Sequence, residues 1–239
     1  MNIRISEIEE AFKEIFKEEP GYRYETLVNR FREMAFVTKR TKIHLVDEKD
    51  NKETTFYFQG GISSFVHYLN KDNVPLHPIV HAEKTIENVG VEVALQYNTS
   101  YSENIFSYVN NINTREGGTH VSGFRRAVTR LFKQYGDDNG FFKKMKFAVS
   151  GEDFREGLTA IVSVKVQEPQ FKGQTKGELG NSEVTSIVSQ IVGEKLKHFL
   201  EENPNEARKI LDKVVVAASA REAARKAREM VQRKNILTG

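Results

Sequence analysis

The 239-residue chain has no cysteine, which excludes disulfides and thiolate metal sites and fits a reducing compartment, the cytoplasm. Proline is scarce, at five residues, and each one falls where the surrounding pattern breaks: Pro20, Pro75, Pro78, Pro169 and Pro204. No apolar run approaches the roughly 20 residues of a membrane span. The opening Met1-Asn-Ile-Arg-Ile-Ser-Glu7 lacks the apolar centre of an export signal, so no membrane partner is expected. Repeats and low-complexity tracts are also missing. The six histidines are scattered; His77 and His81 have helical spacing, but Pro75 and Pro78 argue against a helix there and hence against a zinc site. No metal ligand is assigned in this chain.

What remains is a folding sequence. Hydrophobic residues make up 38%, enough for one large core or two small ones. The net charge of +3 is modest but unevenly spread, with an acidic first 20 residues and a basic last segment that carries Arg208, Lys209, Lys213, Arg221, Arg225, Lys226, Arg228, Arg233 and Lys234. Any polyanion would meet the carboxyl-terminal half.

Periodicity divides the chain. Ser6 and Glu9 form a capping box ahead of the stripe Ile8, Phe12, Ile15 and Phe16, which stops at Pro20-Gly21. A second helix is expected from Tyr24 to Phe36, then a hairpin from Lys42–Asp47 and Thr54–Phe58. Gly60-Gly61 marks a boundary, so residues 1–59 read as a small unit of helices and a hairpin, and 60–239 as a second domain. That domain opens with a helix bearing Ile62, Phe65, Val66 and Leu69. The alternating Val91–Tyr97 is a strand, with Asn104–Val109 expected as its antiparallel partner across a turn at Ser100–Ser102. A helix carrying Phe124, Val128, Leu131 and Phe132 follows, then a strand from Leu158 to Val166 and a capped helix from Ser182. The long final helix, Asn205 to Lys234, has a narrow seam of Val214, Val215, Ala218, Ala223, Ala227 and Met230.

Two places carry chemistry. Between the last strand and the Ser182 helix lies Pro169-Gln-Phe-Lys-Gly-Gln-Thr-Lys-Gly-Glu-Leu-Gly-Asn181, where glycines at 173, 177 and 180 admit close approach and Gln174 and Lys176 offer an amide and a cation. An anion site and an ordinary strand-to-helix connection both fit these residues, and the Walker phosphate-loop pattern is missing. In the helix after Thr119, Arg126, Arg130 and Lys133 share one face while Arg125 lies about 100° round from it. Such a face either is solvated or takes phosphates. Arg155 and Glu156 are expected to pair with each other or with the Gly117-Gly118 region. Glu25 and Asn29 match a bare Glu-x-x-x-Asn spacing, read here as a solvent-facing helix pair.

Three motifs, Asn110-Asn-Ile-Asn-Thr-Arg-Glu-Gly-Gly-Thr-His-Val-Ser-Gly-Phe-Arg125, Gly151-Glu-Asp-Phe-Arg-Glu-Gly-Leu158 and Pro169-Gln-Phe-Lys-Gly-Gln-Thr-Lys176, resemble in order and spacing the second domain of the DNA gyrase B and topoisomerase IV B family. The resemblance implies an α+β fold: a sheet like domain two of ribosomal protein S-five, with a left-handed βαβ crossover, preceded by the helix-and-hairpin end of a GHKL-type ATPase domain (1–59) and followed by a long helix. It implies a transducer (60–239) coupling ATP binding and hydrolysis to DNA strand passage. Lys176 would contact the γ-phosphate and aid catalysis, with Gln174 beside it. Arg125 would face the cavity for transported DNA, with Arg126 and Arg130 as further DNA candidates. The cofactors implied are ATP and, in the full enzyme but not on this chain, Mg2+. The partners implied are DNA, a second gyrase B-type protomer and a cleavage subunit of gyrase A or topoisomerase IV A type. The family's adenine pocket and acidic cleavage motif are missing, so the chain alone is expected neither to hydrolyse ATP nor to cut DNA. The alternatives are a nonenzymatic scaffold built on the long helix, or the transducer of another GHKL machine such as a MutL-like protein.

Overall fold

The computed structural model describes residues 2–4, 6–8, 10 and 23–237. The capping box at Glu9 and the stripe through Phe12, Ile15 and Phe16 to Pro20-Gly21 fall outside them. Packing separates two compact units, Met1–Leu69 and Asn70–Gly239.

In the first unit, β1 (Asn2–Arg4), β2 (Ile43–Asp47) and β3 (Lys52–Phe56) form a sheet in that order, β1 parallel and β3 antiparallel to β2. Ile43, Leu45 and Phe56 turn inward against Val28 and Ala35 of α1 (Tyr24–Val37). Phe36 stacks on Phe58 at 3.7 Å and on Phe65 of α2 (Gly61–Leu69) at 4.6 Å between ring centroids. That aromatic stack packs α2 with the first compact unit, which ends at Leu69. Glu25 and Asn29 both lie exposed on α1, as a solvent-facing pair should.

The second unit is built on a five-stranded sheet with the order β4 (Val80–Ile86), β5 (Val89–Tyr97), β9 (Leu158–Lys165), β6 (Asn104–Val109), β7 (Ile112–Asn113). One strand is added here and one expectation changes. The stretch after Pro78 is a strand, joined to β5 by Glu87-Asn88, whose φ values of 49° and 63° make the tight turn that a twisted hairpin favours. And β5 and β6 do not pair: β9 lies between them, antiparallel to β5 and parallel to β6. The reason is burial. Seven of the eight residues of β9 are buried, which only a central strand can satisfy.

Helices α3 (Thr119–Asp138) and α4 (Ser182–Glu202) pack on one face of this sheet, where Val91, Val93, Val162 and Val164 meet Phe124, Val128, Phe132, Val188 and Ile191. Gly123 permits the close helix crossing, since a Cβ there would lie 2.4 Å from the Thr185 carbonyl oxygen. Because β6 and β9 are parallel neighbours joined through α3, the chain makes a βαβ crossover. Helix α5 (Pro204–Leu237) buries Ala207, Ile210, Leu211, Val214 and Ala218 against the body. The expected seam does not continue: Ala223, Ala227 and Met230 are exposed, and no described element covers them.

Candidate functional site

The stretch after Pro169 is a hairpin, not an open loop. β10 (Phe171–Lys172) and β11 (Glu178–Leu179) pair antiparallel, and β11 pairs in parallel with β8 (Gly117–Gly118). Two of the motifs singled out in the sequence, some 50 residues apart, therefore form one small sheet. Its fit is specific: a Cβ on Gly118, whose φ is +131°, would lie 2.4 Å from the Leu179 nitrogen. The Glu116 N–H donates to the Gly177 carbonyl at 3.0 Å and the Gly180 N–H to that of Gln170 at 2.7 Å. Asn181 sits at the N-cap of α4, but its side chain does not cap the helix. It accepts from the Gln170 N–H at 2.7 Å and donates to the Glu183 carboxylate at 2.8 Å, tying the hairpin base to the helix.

The tip is open by contrast. Gln174, Thr175 and Lys176 are exposed, and neither Gln174 nor Lys176 has a hydrogen bond or ion pair among the described residues. A Cβ built on Gly173 meets nothing within 4 Å. Lys176 holds φ at +53°, a left-handed conformation that costs a non-glycine residue on the order of 1 kcal/mol. Lys172 is committed, at 2.5 Å from Glu178, so Lys176 is the tip's available cation.

The same sheet opens α3. Its first turn holds His120, fully buried, with Nε2 3.1 Å from the Thr114 hydroxyl, which in turn lies 2.8 Å from Ser107. Burial lowers the His120 pKa to about 4, so the ring is neutral. One turn on, Arg125 donates to Glu103 at 2.9 Å, and Arg155 donates to the same Oε1 at the same distance. Arg155 therefore pairs with neither Glu156 nor the Gly117-Gly118 region, contrary to the expectation from sequence. Glu156 faces Lys213 of α5 at 3.8 Å.

Arg125 lines an open cleft of about 710 Å³ between this corner and α5, with Glu103, Glu152, Asp153, Arg155, Glu156 and Arg221. Arg126 and Arg130 face elsewhere, along a groove of about 570 Å³ between α3 and α4 that also holds Lys197 and Glu194. Glu194 is paired with Lys84 at 2.8 Å, whereas Arg126 and Arg130 have no carboxylate partner among the described residues. The structure thus brings Gln174 and Lys176 together at one tip but separates Arg125 from Arg126 and Arg130.

Sequence reasoning missed Glu103, Asp153 and Arg221. Arg221 binds Asp153 through Nε at 2.9 Å and Nη2 at 3.0 Å, and also the Ala148 carbonyl at 2.9 Å. These partners lie 68 and 73 residues away, so no local pattern could have signalled them.

A family model described as DNA gyrase B matches residues 61–230. A DNA gyrase B protein of Cytophaga aurantiaca is 56% identical over 225 residues, covering 91% of this chain and 47% of that protein. One from Chitinophaga japonensis is 55% identical over 237 residues, covering 95% of this chain and 49% of that one. The chain thus spans about half the length of these relatives. Among solved structures, the 43K ATPase domain of Thermus thermophilus gyrase B in complex with an aminocoumarin has a TM-score of 0.78 at 38% identity, covering 91% of this chain and 59% of that one. The topoisomerase IV ATP-binding domain of Francisella tularensis has a TM-score of 0.70 at 27% identity, covering 87% and 56%.

Proposed function

The chain belongs to the DNA gyrase B family, and from that premise we propose that it is the transducer segment of a bacterial type II DNA topoisomerase, coupling ATP binding and hydrolysis to DNA strand passage. One observation carries this reading: the hairpin that holds Lys176 out is hydrogen-bonded, through Gly117-Gly118, to the head of the helix that carries Arg125. A force on the tip therefore acts on the DNA-facing helix through a single backbone frame.

Residues 60–239 act as the transducer, and residues 1–59 close an ATP-binding domain. Lys176 and Gln174 donate to the γ-phosphate, and open space around Gly173 lets a phosphate approach. A lysine bond to a terminal phosphate contributes about 1.5–3 kcal/mol, enough to bias a balanced domain rotation. Lys176 also stabilises charge on the transferring phosphoryl group, so it is a catalytic residue as well as a sensor. When the γ-phosphate leaves, the contact is lost and the hairpin is released. No Mg2+ ligand is assigned to this chain, and none of these roles passes through the metal.

Arg125 contacts the transported DNA, and Arg126 and Arg130 offer a second row of cations. The partners are DNA, a second copy of the same protomer and a cleavage subunit of gyrase A or topoisomerase IV A type. The cytoplasm is the expected site of action; no described helix is long and apolar enough to cross a membrane. The βαβ crossover between β6 and β9 is read as left-handed, as in domain two of ribosomal protein S-five.

The test is Lys176→Ala in the full-length protein with its cleavage partner. ATP turnover should fall at least about 100-fold while nucleotide binding changes little, as for the loss of a donor to developing charge. Unchanged turnover would make Lys176 an ordinary surface lysine and overturn the reading.

A further inference from the structure

Arg125 is not free to meet DNA. Its guanidinium Nε lies 2.9 Å from Glu103 Oε1, and that same oxygen accepts from Arg155 Nε at 2.9 Å. The Arg125 side chain is 46% exposed, Glu103 26% and Arg155 15%, so the carboxylate sits between a reachable arginine and a nearly buried one. Arg155 is fixed by further bonds to the Gly151 carbonyl and the Thr129 hydroxyl. Glu103 is therefore anchored from behind by Arg155, while Arg125 is the replaceable side of the cluster. A phosphodiester offers Arg125 the same kind of charge-assisted acceptor as a carboxylate does. The exchange costs Arg125 one anion and gains it another, and leaves Glu103 still bonded to Arg155.

Building on the proposed role of Arg125 as a DNA contact, we propose that Glu103 is a built-in competitor for the DNA phosphate. It holds Arg125 along the wall of the cleft and weakens capture until a segment is present at high local concentration. Without Glu103, Arg125 would add one more unopposed cation to the DNA path and slow the release of a segment that has to pass through. The cluster thus sets release as well as capture.

The experiment measures binding of a short duplex DNA to the full-length protein by fluorescence anisotropy at several salt concentrations. It compares the parent with Glu103→Gln, Arg125→Gln, the double variant and Glu152→Gln. Glutamine keeps the shape and an acceptor oxygen at position 103, so Arg155 retains a partner and melting temperatures should stay close to the parent's. The Glu152 side chain is exposed in the same cleft and its carboxylate makes no hydrogen bond or ion pair among the described residues, so its replacement reports the mere loss of one negative charge. The expected result is about three- to fivefold tighter binding for Glu103→Gln, a smaller gain for Glu152→Gln, and loss of the Glu103 gain in the Arg125→Gln background. Equal gains from Glu103→Gln and Glu152→Gln, or a Glu103 gain that persists without Arg125, would overturn the competitor role. Unchanged affinity in Arg125→Gln would instead overturn the assignment of Arg125 as a DNA contact, so the two failures are distinct.

Discussion

Two glycines of the candidate site are demanded for different reasons. Gly118 combines a φ of +131° with backbone contacts that a Cβ would violate, at 2.4 and 2.5 Å from the Leu179 nitrogen and oxygen. Gly173 has a φ of +79° but open space around it. Gly118→Ala should therefore cost roughly 2–4 kcal/mol and unseat the hairpin, while Gly173→Ala should cost about 1 kcal/mol, the backbone term alone. Urea unfolding of the two variants checks this; equal losses would mean that the β8–β11 contact is not tight. At this scale the tip was legible early, because Gln174, Lys176 and the glycines stand within eight residues of sequence. Glu103 was not, because it is 22 residues from Arg125 and 52 from Arg155, and only the folded sheet brings the three together.

Among the elements, α5 is the one whose behaviour changes along its length. Its first half is fastened by apolar burial and by two ion pairs, Lys213 with Glu156 and Arg221 with Asp153. The Asp153 side chain is only 3% exposed and also accepts from the Ser150 N–H at 2.7 Å. Asp153→Ala strands two donors and should cost about 2 kcal/mol, with faster amide exchange in α5 from about residue 214 onward. Lys226→Ala, beyond the clamp, should change stability by less than about 0.5 kcal/mol, since Lys226 is itself exposed and the Glu222 carboxylate keeps its closer bonds to Arg225. Unaltered exchange in Asp153→Ala would show that apolar burial alone holds the helix. Past Glu222 the helix is stiffened by its own i, i+3 and i, i+4 pairs: Arg225 bonds Glu222 at 2.8 Å and also reaches Glu229, and it holds the Glu222 carboxyl down to about 2. The helix was predicted nearly residue for residue, whereas the point at which it leaves the body was not, because alanine spacing is the same on a covered face and a bare one.

For the molecule as a whole, two buried histidines set the acid limit of stability. His77 accepts from the Tyr97 N–H at Nε2 (2.8 Å), so its proton is on Nδ1, which donates to the Pro78 carbonyl at 2.6 Å. Burial lowers its pKa to about 4, as it does for His120, against 6.5 for an exposed ring. Above pH 6.5 both folded and unfolded rings are neutral and contribute nothing. Between 6.5 and about 4 the unfolded chain binds protons that the folded chain refuses, so stability falls as pH falls, by on the order of 3 kcal/mol per histidine at the lower end. Urea midpoints should hold steady from pH 8 to 7 and decline below 6.5, and NMR should find neither ring titrating above pH 5. An imidazole titrating near 6.5 would show that its burial is incomplete.

The sequence by itself determined the helices from Tyr24 onward, the β2–β3 hairpin, the cationic tip and the family, because each is written in short-range spacing or in a contiguous motif. Only the tertiary structure decided that β9 separates β5 from β6, that the tip's hairpin docks on Gly117-Gly118, and that Arg125 shares Glu103 with Arg155. Strand order and shared counter-ions depend on which distant segments compete for the same buried place. That competition is won by total burial, here of the almost wholly buried β9, and a chain read locally contains no term for it.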